Sequence, residues 1–127
     1  MDTIKFGTDG WRGIIAKEFT IVNLDRVVTA TATWLLKKNP TPSVVIGYDC
    51  RFGGEMFARR CAEVFAYYKV KILLSYSYAS TPMVSFGTIE LKADMGIVIT
   101  ASHNPPIYNG FKLKGPYGGP ASEEMTK

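Results

Sequence analysis

The sequence predicts an α/β protein of three layers, a mixed, mostly parallel sheet between helices. Two observations carry this. Short β-branched or apolar runs alternate with longer stretches whose apolar residues recur at helical spacing. That alternation implies a largely parallel sheet covered on both faces. The chain has 127 residues, which bounds it to one domain, and 46% hydrophobic content, which suffices for a packed core at this size.

The elements follow in order. Thr3 to Gly7 alternates and predicts a strand, with Gly13 to Ala16 as its hairpin partner. Asn23 is a good helix cap, and Leu24, Val27, Val28, Ala32, Leu35 and Leu36 form an apolar stripe behind it. Asn39-Pro40 ends that helix. Ser43 to Tyr48 is a β-branched strand. Gly54 to Tyr68 is helical, with Met56, Phe57, Cys61, Val64, Phe65 and Tyr68 on one stripe. Val70 to Tyr76 is the next strand. Thr81 as cap and Pro82 in the first turn open a short helix towards Leu91. Asp94 to Ala101 is an apolar strand, and Phe111 to Lys114 is the last. The first hairpin and the final strand are expected to add antiparallel pairing.

Composition excludes several function classes. The net charge is +4, with no basic run beyond Lys37-Lys38 and Arg59-Arg60, which argues against nucleic-acid binding. No stretch is long and apolar enough to span a bilayer, and no early apolar run follows a basic start, so neither membrane nor secretory targeting is expected. A cytoplasmic protein is the expectation. Cys50 and Cys61 are too far apart for a close-spaced metal pair; two reduced, buried thiols are preferred over a disulfide.

The most informative stretch runs from Ile99 to Lys112. Its strand stops at Ser102, the chain's single histidine His103, and Pro105-Pro106, so the chain must turn there. A hydroxyl thus stands at the carboxyl end of a strand, where open α/β sheets place ligands. Gly110, Gly115, Gly118 and Gly119 keep the neighbouring backbone slim, and Lys112 and Lys114 bring positive charge. A hydroxyl, free amides and cations suit a phosphate; polar residues that merely tie down a turn are the plainer reading. An acyl-transfer serine fits badly. The flanks of Ser102 lack the Gly-x-Ser-x-Gly elbow, and His103, as the adjacent residue, points the other way in extended backbone.

Thr100-Ala101-Ser102-His103-Asn104-Pro105 resembles the phosphoserine loop of the α-D-phosphohexomutases, the phosphoglucomutase and phosphomannomutase family. Phe6-Gly7-Thr8-Asp9-Gly10-Trp11-Arg12-Gly13 resembles the family's amino-terminal signature. Gly47-Tyr48-Asp49-Cys50-Arg51 is similar to its Gly-x-Asp-x-Arg strand end, and Ser80-Thr81-Pro82 to its Thr-Pro turn. The resemblance implies the domain 1 fold of that family, with phosphoryl transfer between the C1 and C6 hydroxyls of a hexose phosphate through phospho-Ser102 and a hexose bisphosphate intermediate. It implies that Ser102, His103, Lys112 and Arg12 are catalytic. Lys112 takes the position of a general acid/base, Arg12 that of a phosphate contact, and His103 that of a proton helper. Thr8, Asp9, Gly10, Asn104, Asn109 and Arg51 are expected to support the loop or substrate, with Asp49 as a partner for Arg51. It also implies Mg2+, for which Ser102 is the only ligand from this chain, the others being aspartates of a second domain. Trp11 departs from the aliphatic residue of the glucosamine branch, which favours glucose or mannose phosphates.

Ser122-Glu123-Glu124-Met125 reads as a helix start, and the chain stops at Lys127. The expectation is the amino-terminal domain of a longer mutase, residues 1–127, truncated near its last helix. It would be inactive alone, partnered by the remaining domains of the same protein, and open to self-association through exposed surfaces. Two other readings stay open: a non-catalytic sugar-phosphate-binding or interaction module, and a serine hydrolase or phosphatase using Ser102.

Overall fold

Five strands form one sheet in the order β1-β5-β4-β2-β3, in a computed structural model that describes residues 4–6 and 10–119. The strands are β1 (Gly10–Ile14), β2 (Ser43–Tyr48), β3 (Lys71–Leu74), β4 (Met95–Ile99) and β5 (Tyr108–Lys114). The helices are α1 (Ile21–Lys38), α2 (Gly54–Tyr67) and α3 (Thr81–Glu90). β2 pairs in parallel with β3 and β4, whereas β5 is antiparallel to both β4 and β1. All strands except β5 therefore run the same way, the mixed and mostly parallel sheet that the alternation predicted. Among the described residues, no helix is long and apolar enough to cross a membrane.

Alternation along the strands assigns the two faces. Val44 and Ile46, Met95, Ile97 and Ile99, and Phe111 and Leu113 pack with Leu24, Val28 and Leu35 of α1 and with Phe57, Cys61 and Phe65 of α2. Val45 and Val98 point the opposite way and meet Ala79 and Val84 beside α3. The first face holds most of the core. The second has α3 alone among the described residues, and Met83, Phe86, Ile89 and Leu91 on or just after that helix stay more than half exposed. Arg60 on α2 donates from Nε and Nη2 to the two carboxylate oxygens of Asp25 on α1, each at 2.8 Å. Both side chains are about a third exposed, so this pair aligns the helices more than it stabilises them.

The helix starts differ by a few residues from those the sequence suggested. Thr20, not Asn23, caps α1: its hydroxyl accepts the N–H of Asn23 at 3.2 Å. Asn23 sits buried in the first turn, where its side-chain amide donates to the Glu18 carbonyl at 2.8 Å. Ser80 rather than Thr81 caps α3, accepting the N–H of Met83 at 3.3 Å. In both helices the hydroxyl lies three residues ahead of the amide it satisfies, the usual reach of a cap. Met56 on the expected α2 stripe is exposed.

The amino-terminal hairpin is not formed as expected. Ile4 to Phe6 carry no strand, and the rest of that segment up to Asp9 lies outside the described residues. The strand here is β1, and its partner is the distant β5, with Trp11 opposite Phe111 and Arg12 opposite Gly110. The helix start expected at Ser122 also lies outside the described residues. Both cysteines are free, but only Cys61 is buried; Cys50 is exposed because it lies in the loop after β2. Burial pushes the Cys61 thiol far above its ordinary range.

Candidate functional site

β2 connects onward to β3 on one side, whereas β4 connects to β5 on the other. The chain therefore departs in opposite directions from the carboxyl ends of two adjacent parallel strands, which opens a crevice between their loops. The loop after β2 brings Asp49 and Arg51 to this place, and the loop after β4 brings Thr100, Ser102, His103 and Asn104. β5 returns alongside, and Gly110 is needed there. A Cβ on it would come within 2.6 Å of the Thr100 carbonyl oxygen and 2.8 Å of the Trp11 carbonyl oxygen.

Ser102 is exposed at the sheet rim with φ of +52°, in the left-handed region that non-glycine residues seldom occupy. Its hydroxyl makes no hydrogen bond among the described residues, and neither does the exposed side chain of His103. The loop is fixed by other groups. Arg51 donates from Nη2 to the carbonyls of Ser102 and Asn104 (2.5 and 2.7 Å). From Nη1 it donates to the carbonyls of Pro105 and Tyr108 (2.8 and 3.2 Å). One guanidinium thus satisfies four carbonyls across seven residues, which its planar fork allows and an ammonium would not. Its Nε lies 3.5 Å from Asp49 Oδ2, and its side chain is only 13% exposed. Arg51→Lys is expected to destabilise the chain by about 1–3 kcal/mol, because one ammonium leaves several of these carbonyls without a donor. Urea unfolding measures this, and a cost below about 0.5 kcal/mol would mean that water replaces the fork.

Arg12 on β1 reaches the same loop, donating from Nη1 to Asn104 Oδ1 at 2.7 Å. Asn109 is fully buried; its amide donates to the Phe52 carbonyl at 3.4 Å and its oxygen accepts the N–H of Gly110 at 2.9 Å. Arg12 and Arg51 therefore hold the Ser102 loop, from β1 and from the loop after β2, with Asn104 as the contact of Arg12; Asn109 is instead tied to the Phe52 carbonyl and the Gly110 N–H, away from Ser102. Lys112 is placed differently. It is buried on β5, opposite Val98 and Gly10 and on the α3 face, four residues back from Ser102 along β4. Lys114 is likewise buried, opposite Gly96. Gly10 has φ of +147°, and Thr8 and Asp9 beside it lie outside the described residues.

Two contacts were not read from the sequence. Thr100 donates its hydroxyl proton to Asp49 Oδ2, and its oxygen accepts the N–H of Ser102 at 3.1 Å. A threonine two residues before a turn residue is the available signal for the second contact; the first depends on the pairing of β2 with β4. Among the described residues no group of three or more His, Cys, Asp or Glu side chains could hold a metal. Ser102 supplies a single oxygen, so the described donors do not suffice for a cation by themselves.

The family described as phosphoglucomutase/phosphomannomutase, alpha/beta/alpha domain I, matches residues 3–127. The chain belongs to this family. A phosphoglucomutase of Staphylococcus epidermidis is 38% identical over 130 residues, covering 98% of this chain and 23% of that protein. A phosphoglucomutase of Staphylococcus aureus is 35% identical over the same coverage of both. A crystal structure from Thermus thermophilus, described as a phosphomannomutase, superposes with a TM-score of 0.95 at 42% identity, covering 98% of this chain and 28% of that one. A phosphoglucomutase/phosphomannomutase family protein from Burkholderia thailandensis superposes at 0.80 with 25% identity over 94% of this chain and 28% of its own. The chain thus spans about a quarter of the length of the relatives it matches and corresponds to the amino-terminal domain of phosphohexomutases.

Proposed function

We propose that this chain is the phosphoserine-bearing domain of a phosphohexomutase, moving a phosphoryl group between the C1 and C6 hydroxyls of a hexose phosphate through Ser102. The observation that carries the reading is Ser102 itself: an exposed hydroxyl at the carboxyl end of a strand, on a loop immobilised by Arg51 and bordered by Arg12. Phosphoryl transfer depends mainly on positioning and on charge stabilisation, and this loop supplies a fixed acceptor with a cation beside it.

In the forward step the Ser102 Oγ–P bond breaks as the hexose hydroxyl oxygen bonds to phosphorus, giving a hexose bisphosphate and a free serine. The hydroxyl proton leaves to a base. His103, next in the chain and solvent-exposed, and Lys112, buried on the neighbouring strand, are the two candidates. The bisphosphate turns over and returns its other phosphoryl group to Ser102. In this reading the Arg12 guanidinium, which here donates to Asn104 Oδ1, turns its fork to the transferring group. Magnesium is part of this reading as a family requirement, with Ser102 contributing one oxygen and the remaining ligands coming from outside this domain.

The other domains of the full-length protein are its partners in this reading, the compartment is the cytoplasm, and the isolated chain is inactive. The exposed apolar side chains of α3 make self-association of the isolated chain the expected behaviour. Peptide mass spectrometry of the full-length protein after incubation with a hexose 1,6-bisphosphate tests the central claim. Phosphate on Ser102 is expected. An active protein that never carries phosphate there would overturn the reading, and an acylated Ser102 would favour a hydrolase.

A further inference from the structure

We infer that Thr100 and Asp49 are positioning residues that set the backbone of Ser102 for phosphoryl transfer, an inference that rests on Ser102 being the phosphoryl carrier. The geometry is a closed ring of three hydrogen bonds and one ion pair. The Ser102 N–H donates to Thr100 Oγ1 at 3.1 Å, and the Thr100 hydroxyl donates to Asp49 Oδ2. Asp49 Oδ2 also faces Arg51 Nε at 3.5 Å, and Arg51 Nη2 donates to the Ser102 carbonyl at 2.5 Å, which closes the ring. Asp49 Oδ1 is occupied as well, accepting the backbone N–H of Arg51 at 3.1 Å.

Each link restricts the next. Thr100 is buried, and its one hydroxyl proton is committed to the carboxylate, so its oxygen can only accept from Ser102. The carboxylate cannot rotate away without giving up both contacts with Arg51. Ser102 is therefore gripped on both sides, by its N–H and by its C=O, and its hydroxyl is left out of the ring. That double grip accounts for the backbone conformation. A serine at φ of +52° persists only where its surroundings over-determine it. Because the ring grips backbone atoms of Ser102 and leaves its hydroxyl out, its loss is expected to misplace the phosphoserine while the hydroxyl itself is retained. The effect falls on kcat and leaves KM in place.

The test compares Thr100→Val, which keeps the shape and removes the hydroxyl, with Thr100→Ser, which restores the hydroxyl, in the full-length protein. Thr100→Val is expected to lower kcat about 100-fold with KM for the hexose phosphate within about threefold, the size of effect a misplacement near 1 Å produces. Thr100→Ser is expected to recover to within about threefold of the parent rate. A Thr100→Val protein within about twofold of the parent kcat, or one whose loss lies in KM, would overturn the inference. So would a Thr100→Ser protein as slow as Thr100→Val, since the methyl group would then carry the effect. A measurement on the unsubstituted chain guards against a valine variant that does not fold. The Ser102 amide is expected to exchange with solvent at least about tenfold more slowly than the exposed His103 amide, and equal rates would refute the ring. Ser102→Ala separates the two claims. If that variant keeps full activity the carrier reading fails; if it is inactive while Thr100→Val is normal, only the positioning inference fails.

Discussion

Ser102→Ala in the full-length protein is expected to lower the mutase rate by at least about four orders of magnitude, the scale seen when a covalent nucleophile is deleted. The folded state should barely register the change. Ser102 is exposed and its hydroxyl has no hydrogen-bond partner among the described residues, so stability should move by no more than about 0.5 kcal/mol. The loop stays in place because its grip is on backbone atoms: Arg51 and Thr100 hold the carbonyl and amide of residue 102, which alanine retains. Added hexose bisphosphate should not restore turnover, because no oxygen remains to accept the returning phosphoryl group. Steady-state rates with and without bisphosphate, together with a thermal melt, measure all three expectations. A variant that melts like the parent and still turns over within about tenfold of it would remove Ser102 from the reaction.

The sequence was readable where information is local. Ser43–Tyr48 forms a strand with the bounds its β-branched run predicts, and α2 ends one residue before the predicted Tyr68. The approach of Arg51 to Asp49 was also within reach, because Gly-x-Asp-x-Arg sets the two side by side after a strand end, but the Arg51 contacts with the loop after β4 were not. What could not be read is what depends on pairing across the chain. The amino-terminal hairpin was inferred from adjacency, yet β1 lies against β5, about a hundred residues later. Lys112 was singled out as a nearby positive charge and by its match to the family's acid/base position, neither of which fixes its register. The pairing of β5 sets it opposite Val98, on the α3 face. The Thr100–Asp49 contact arises for the same reason: it exists only because β2 and β4, separated by a helix, a strand and a second helix, end side by side.

Phe19→Ala is expected to produce the largest loss of stability, about 3–5 kcal/mol, and to carry that loss into the site. Phe19 is fully buried, stacked on Trp11 with ring centres 4.7 Å apart and meeting Phe57 edge-on at 4.7 Å. It therefore joins three pieces of the fold: β1 through Trp11, α2 through Phe57, and the segment that runs into the Thr20 cap of α1. Truncation removes apolar surface and both aromatic contacts together, and the rigid sheet behind Trp11 cannot collapse into the space. Against the roughly 5–15 kcal/mol typical of a folded domain, such a loss leaves a substantial unfolded population. Urea titration should show a lower midpoint at an unchanged slope, and Phe19→Leu should retain most of the stability because it refills much of the volume. The consequence for the site follows from alternation. Trp11 and Arg12 are neighbours on β1 facing opposite sides, so a shift of the indole moves the guanidinium that holds Asn104 beside Ser102. A Phe19→Ala protein that loses less than about 1 kcal/mol would show that β1 is fixed by its pairing with β5 alone, and that the aromatic cluster behind it is dispensable.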